Sequence, residues 1–242
     1  MATLALGRPL RGLVSLLYPA SCELCAAPIE QEEYLCAGCA EGAPRLCAPF
    51  CERCSQPFAG AITEAFTCAN CHDRVLHFDA AISAYRSRGV VREVMHGFKY
   101  SKHLYLRYPL AAWLGEALED PRLREARLDC IVPVPLHPAR ERERGFNQAE
   151  ILAQLLARRA GLPVRPLLQR IRYTTTQTQF DRAQRIENLA GAFRLRRGVD
   201  VQGCRVLLVD DVLTTGSTLS ECADVLKRAG ALTVHAATAA RG

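Results

Sequence analysis

Residues 206–219, Val-Leu-Leu-Val-Asp-Asp-Val-Leu-Thr-Thr-Gly-Ser-Thr-Leu, bring acids, hydroxyls and backbone amides into one short stretch. Four apolar residues lead into Asp210 and Asp211, and a Thr/Gly/Ser turn then opens a helix. The apolar run predicts a buried strand, and the small hydroxyl residues predict a turn that presents helix-start amides to a phosphate. At the strand's end, the acid pair is placed to hold the vicinal hydroxyls of a sugar. The combination predicts a site for a phosphorylated ribose. A capping box, Thr218-x-x-Glu221, would account for the helix start alone. It explains neither the paired acids nor the run of small residues.

The second chemical cluster is made of thiols. Nine of the twelve cysteines precede residue 72, and eight form Cys-x-x-Cys pairs at 22/25, 36/39, 51/54 and 68/71. Two intervening residues let both sulfurs of a knuckle face one ion, and two knuckles complete the four-thiolate tetrahedron of structural zinc. The module is also an internal repeat. Cys22-Glu-Leu-Cys25-Ala-Ala-Pro28 matches Cys51-Glu-Arg-Cys54-Ser-Gln-Pro57, and Cys36-Ala-Gly-Cys39 matches Cys68-Ala-Asn-Cys71. A duplicated ribbon is expected, each copy closing its own zinc, for two structural ions in all. A cross-braced arrangement, in which the first and third pairs share an ion, satisfies the same spacing. Disulfides would need an oxidising compartment that nothing else in the chain indicates. Cys47, Cys130, Cys204 and Cys222 lack partner spacing and are expected to pack.

These groups need elements to position them. Beyond about residue 78, strands alternate with helices: a strand at 78–85, helix from about 90 to 119 with a break near Tyr108-Pro109, and a strand at 129–134. A helix at 149–159, the strand at 206–209, a helix at 218–228 and a strand at 232–237 follow. Such alternation predicts a parallel sheet covered on both faces, with ligands outside the carboxyl ends of its strands. The expected organisation is a short amphipathic helix at 1–21, a zinc-ribbon module at 22–75 and an α/β domain at 78–242.

Composition agrees with a globular chain, 49% hydrophobic and 23% charged. No apolar run approaches the roughly 18 residues of a membrane span. Arg8 and Arg11 ahead of residues 13–17, with Ala20-Ser21-Cys22 beyond, also fit a secretory signal. Pro19 interrupts that pattern and Cys22 belongs to a knuckle, so an amphipathic helix and a cytoplasmic location are expected. The net charge of +6 is uneven: residues 1–71 hold four basic and seven acidic side chains, leaving +9 on the remainder. Affinity for polyanions therefore belongs to the larger part.

The block at 207–219 resembles the phosphoribosyl-pyrophosphate motif of type I phosphoribosyltransferases. The whole chain, from the Cys-x-x-Cys pairs through Val132-Pro-Val-Pro135 and Arg144-Gly-Phe-Asn-Gln148 to that block, resembles the ComF/GntX family of competence proteins. The resemblance implies a type I phosphoribosyltransferase fold, a mainly parallel twisted sheet flanked by helices, behind an N-terminal zinc ribbon. It also implies a link to uptake of transforming DNA. Asp210 and Asp211 would then meet the ribose hydroxyls. Thr214, Thr215, Gly216, Ser217 and Thr218 would cradle the 5′-phosphate, and the loop running to Arg144 would bind pyrophosphate. The polar stretch 173–188 resembles the fold's flexible catalytic loop, with Arg182 and Arg185 meeting the leaving group. Lys99 is either a further phosphate contact or a surface lysine.

The implied reaction displaces pyrophosphate from C1′ of phosphoribosyl pyrophosphate, with magnesium carried mainly by the substrate's own oxygens. Purine-salvage members carry an acidic base where Thr214 stands, so 6-oxopurine salvage is not expected and the acceptor is not legible. The second function class is a binding protein for imported single-stranded DNA, alone or with competence-machinery proteins. Arg158-Arg159 and Arg194-Leu-Arg-Arg197 favour it, but no aromatic cluster interleaves those stretches in the sequence.

Overall fold

The computed structural model describes residues 19–30, 33–58, 60, 66–173 and 189–242. The amphipathic helix expected at the N-terminus and the arginines Arg182 and Arg185 lie outside the described residues. Four strands, β1 (Ala81–Ser83), β2 (Cys130–Pro133), β5 (Arg205–Leu213) and β6 (Thr233–Arg241), form a parallel sheet in the order β1-β6-β5-β2. A separate antiparallel pair, β3 (Leu168–Arg170) and β4 (Phe193–Leu195), precedes β5 in the chain. The longer helices are α1 (Gly89–Tyr100), α2 (Arg107–Glu116), α3 (Pro138–Arg144), α4 (Gln148–Ala160) and α5 (Ser217–Arg228).

The apolar run of β5 is continuous because both of its faces are covered. Val206 and Leu208 pack with Leu219, Cys222, Ala223 and Leu226 of α5, with Phe193, and with three cysteines of the second ribbon. Leu207 and Val209 face the other way, onto Val94 and Phe98 of α1, Leu110 and Leu114 of α2 and Leu152 and Leu156 of α4. All four β5 residues are fully buried. Alternation with period two thus divides one strand between two cores.

Several element boundaries differ from those expected, among them that of the last strand, which runs past Ala237 to Arg241. The strand at 78–85 shortens to three residues, because beyond Ser83 the chain turns to bond the segment that joins the two ribbons. Leu46 N–H donates to Ala84 O at 2.8 Å and Arg86 N–H to Pro44 O at 2.8 Å. The helical break falls at Ser101–His103, where Lys102 takes φ +58°, rather than at Pro109. Pro109 sits in the first turn of α2, where a missing N–H removes no helical bond. The strand expected to end at Val209 runs on to Leu213, paired with β6 as far as Arg241. Cys130 and Cys222 are buried as expected, but Cys47 is exposed.

The ribbon repeat survives as geometry. Cys22 N–H donates to Ala27 O and Cys51 N–H to Gln56 O, each at 2.8 Å, and Ala26 and Ser55 share a left-handed φ near +55°. Each second knuckle opens a short helix, Ala37–Glu41 in one copy and Ala69–His72 in the other. Among the described residues no helix is long and apolar enough to cross a membrane.

Candidate functional site

The eight cysteines close two sequential tetrads, Cys22/Cys25/Cys36/Cys39 and Cys51/Cys54/Cys68/Cys71, with the ligand atoms of each within 4.8 Å of one another. The cross-braced alternative is thereby excluded. Amide N–H groups also point at sulfur, Cys39 N to Cys36 Sγ and Cys68 N to Cys51 Sγ, both at 3.4 Å. Four thiolates at this separation fit zinc.

At the other centre, β5 carries both aspartates before the chain turns. Gly216 caps α5 with φ +78°. A Cβ there would meet Phe78 Cε1 at 3.3 Å, so both the backbone and the packing call for glycine. Thr218 is the second residue of α5 and Gly216 offers no side chain, so the capping box does not form. The turn is braced instead by Thr215 Oγ1 and Ser217 Oγ at 2.9 Å and by Ser220 N–H on Gly216 O at 2.8 Å. The Ser217 N–H leans on Thr215 Oγ1 at 3.4 Å, and the amides that follow it stand at a positive helix end, the arrangement that favours an anion.

The two carboxylates have different surroundings. Asp211 pairs with Lys99 Nζ of α1 at 2.8 Å, and both side chains are less than one-fifth exposed. Lys99 is therefore not a solvated surface lysine. Asp210 accepts the Asp211 N–H at 2.8 Å. Burial first, then the neighbouring Asp211 carboxylate, lifts its pKa from the ordinary 3.8 to about 7, against the opposing pull of Lys99 and Arg170. Burial in turn holds Arg170 of β3 below the usual guanidinium range. Nothing in the sequence marked Arg170, whose place beside Asp210 depends on the separate β3–β4 pair.

Arg144 ends α3, and Gly145 at φ +86° lets the chain reverse. Asn147 fixes that reversal: its side chain caps α4 through Ala149 N–H at 3.1 Å and donates to Val134 O at 3.1 Å. Arg144 donates to Gln148 Oε1 at 2.7 Å and lies over the Tyr100 ring. With Lys99, Tyr100, Lys102, Arg140 and Glu143 it lines a cavity of about 240 Å³. The arginine–glutamate alternation is helical, so Arg140 and Arg144, one turn apart, share this face. Lys99 links the basic cavity to the acid pair.

Residues 144–242 match the model of the phosphoribosyl transferase domain, and residues 13–75 match that of the double zinc ribbon domain. The DNA utilization protein YhgH of Salmonella typhimurium is 34% identical over 224 residues, spanning 91% of this chain and 96% of its own. Competence protein F of Haemophilus influenzae is 32% identical over 200 residues, spanning 81% and 85%. The chain belongs to the ComF/GntX family. Among solved structures, the glutamine phosphoribosylpyrophosphate amidotransferase from B. subtilis aligns at 26% identity and a TM-score of 0.35, over 54% of this chain and 25% of that one.

This ComF/GntX chain thus joins a type I phosphoribosyltransferase domain, a parallel sheet flanked by helices, to a zinc-binding double ribbon. Its sheet brings Asp210, Asp211, the turn at 214–218 and, through Lys99, Arg144 to one end of β5. The second ribbon also meets that turn: Asn70 and Arg74 both donate to Thr215 O. Sequence reading missed these two residues, because nothing local to them signals a contact more than 140 positions away.

Proposed function

We propose that this end of the sheet binds magnesium–phosphoribosyl pyrophosphate, and that the protein is a phosphoribosyltransferase-like member of the DNA-uptake apparatus. The observation that supports the reading is the position of Lys99, which pairs with Asp211 and also lines the basic cavity with Arg140 and Arg144. A ribose held by Asp210 and Asp211 would have its 5′-phosphate at the Thr214–Thr218 turn and its pyrophosphate toward that cavity. Magnesium riding on the substrate oxygens neutralises the leaving group as the C1′–O bond breaks. The protein's own groups bind and orient rather than attack. Thr214 is exposed and carries no basic group, so an acceptor must bring its own nucleophile. The names of the relatives, DNA utilization and competence proteins, support a role in handling incoming DNA.

Calorimetry of the zinc-loaded chain with phosphoribosyl pyrophosphate and magnesium tests the ligand. Binding is expected in the wild type and at least a tenfold loss in the double variant Asp210→Asn, Asp211→Asn. No heat with the wild type, or equal affinity in the variant, rejects the assignment.

Single-stranded DNA as a ligand has one observation of its own. Tyr34 stacks on both Tyr105 and Tyr108, with ring centres 5.5 and 5.4 Å apart, His103 stacks on Tyr105, and the Arg107 guanidinium covers Tyr108 at 4.5 Å. Aromatic faces beside fixed cations are what an unpaired base requires. Oligonucleotide anisotropy should then weaken with Tyr108→Ala and fall steeply with salt. Affinity that is indifferent to both removes this reading.

A further inference from the structure

The two ribbons share a fold but not a setting. The first docks at the start of α2, where Glu23 meets His103 Nδ1 and Tyr105 Oη, each at 2.6 Å. The second is built into the core under α5: Cys51, Cys54 and Cys71 are buried, and Ser55 Oγ donates to Ala81 O of β1 at 2.9 Å. From there it grips the phosphate turn at both ends.

At the helix side, Arg74 donates to Thr215 O and to Ser217 Oγ, both at 3.1 Å. Asn70, inside the Cys68–Cys71 knuckle, donates to the same carbonyl at 3.3 Å and accepts from Arg74 at 3.3 Å. At the strand side, the buried guanidinium of Arg241 donates to Leu213 O at 3.0 Å and to Cys54 O at 3.1 Å, with Cys54 Sγ 4.0 Å away. Cys54 and Cys71 are therefore each one residue or one hydrogen bond from a group that holds the turn.

The consequence follows from peptide geometry. In a planar trans peptide the C=O and the next N–H point in opposite directions. With Thr215 O turned toward Asn70 and Arg74, the Gly216 N–H is directed away from the ribbon. The same arginine fixes the Ser217 hydroxyl at the first position of α5. An anion on the turn would use amides in that orientation, and the tetrad supplies the rigidity that keeps Asn70 and Arg74 in place.

We propose that zinc in the second ribbon and phosphoribosyl pyrophosphate bind cooperatively through Asn70, Arg74 and Arg241, while zinc in the first ribbon is not linked to the ligand. The proposal rests on the ligand assignment given above. Linkage is reciprocal: if the metal raises affinity for ligand on the turn, ligand on the turn must raise affinity for that metal by the same factor. Arg74 is in this account a positioning residue.

Two measurements on the full, zinc-loaded chain decide it. Hydrogen exchange needs no ligand. In Arg74→Ala the amides of 214–220 should exchange at least fivefold faster while those of 205–209 keep their wild-type rates, and Arg74→Lys should restore part of the protection. Equal protection of the turn in Arg74→Ala and wild type overturns the proposal, whether or not the ligand assignment stands. Equilibrium competition for zinc with a chromogenic chelator, with and without magnesium–phosphoribosyl pyrophosphate, reads the linkage directly. One of the two ions should be held at least fivefold more tightly with ligand present, and Arg74→Ala should abolish that difference. Ligand that binds by calorimetry but protects neither ion, or both equally, overturns the coupling while leaving the ligand assignment intact.

Discussion

Asp210 holds a carboxyl group where charge is costly, and that cost can be read as stability. Burial and the Asp211 carboxylate raise its pKa from 3.8 to about 7, while Lys99 of α1, Arg170 of β3 and the Asp211 N–H oppose the shift and Cys222 of α5 lies alongside. A carboxyl whose folded pKa is raised binds its proton more tightly in the native state than in the unfolded one. The contribution of this group to stability is therefore full below about pH 4 and is lost as the pH rises toward 7. At about 1.4 kcal/mol per pH unit, a shift of about three units caps the loss at roughly 4 kcal/mol. Relaxation around the charge brings the expected value to about 1–3 kcal/mol. Asp210→Asn keeps the shape and can still accept the Asp211 N–H, but it carries no charge. The variant should match the wild type at pH 4 and exceed it by about 1–3 kcal/mol at pH 8. Urea unfolding of both proteins at each pH, with zinc in excess, measures the difference and cancels every other titrating group. A variant equal to or less stable than the wild type at pH 8 refutes the electrostatic account of this pair. A gap that is already present at pH 4 does so as well.

Gly216→Ala should destabilise the fold by about 1–2 kcal/mol, since φ +78° disfavours a Cβ and the Phe78 ring stands 3.3 Å from it; thermal unfolding at fixed zinc concentration checks this. Lys99→Met removes the cation beside Asp211, so Asp210 should hold its proton to higher pH and affinity for phosphoribosyl pyrophosphate should drop about tenfold. Calorimetry at pH 7 and 8 reads the loss, and an unchanged affinity would return Lys99 to a purely structural role. Elemental analysis of purified chain should find about two zinc ions per molecule, one for each tetrad. A single ion would mean that one tetrad does not close.

Legibility followed the range of the interactions. The run at 206–209 was readable because a strand buried on both faces must be apolar throughout, and the knuckles were readable because two residues between thiols is a local requirement. The end of β5 was not. Asp210 and Asp211 look like a strand's end, yet pairing with β6 carries the ladder past them to Leu213, and that partner lies well outside the local window. Pro109 misled in the same way. Proline punctuates a helix interior but is tolerated in a first turn, and only packing decided that α2 begins at Arg107. No aromatic cluster could be seen along the sequence because Tyr34 meets Tyr105 and Tyr108 only once the first ribbon docks.

The amino-acid sequence by itself determined the chemistry on offer: two four-thiolate metal centres, a pair of acids, and a turn of small residues opening a helix. Each depends on residues a few positions apart, whose spacing sets their geometry. What surrounds those groups was decided by the tertiary structure alone. Lys99 reaches Asp211, Arg170 lies beside Asp210, and Asn70 and Arg74 hold the carbonyl of Thr215. The reason is physical. Burial, charge pairing and peptide orientation depend on distances in space, and the closing of the sheet and the docking of the second ribbon bring residues more than 140 positions apart within hydrogen-bond reach.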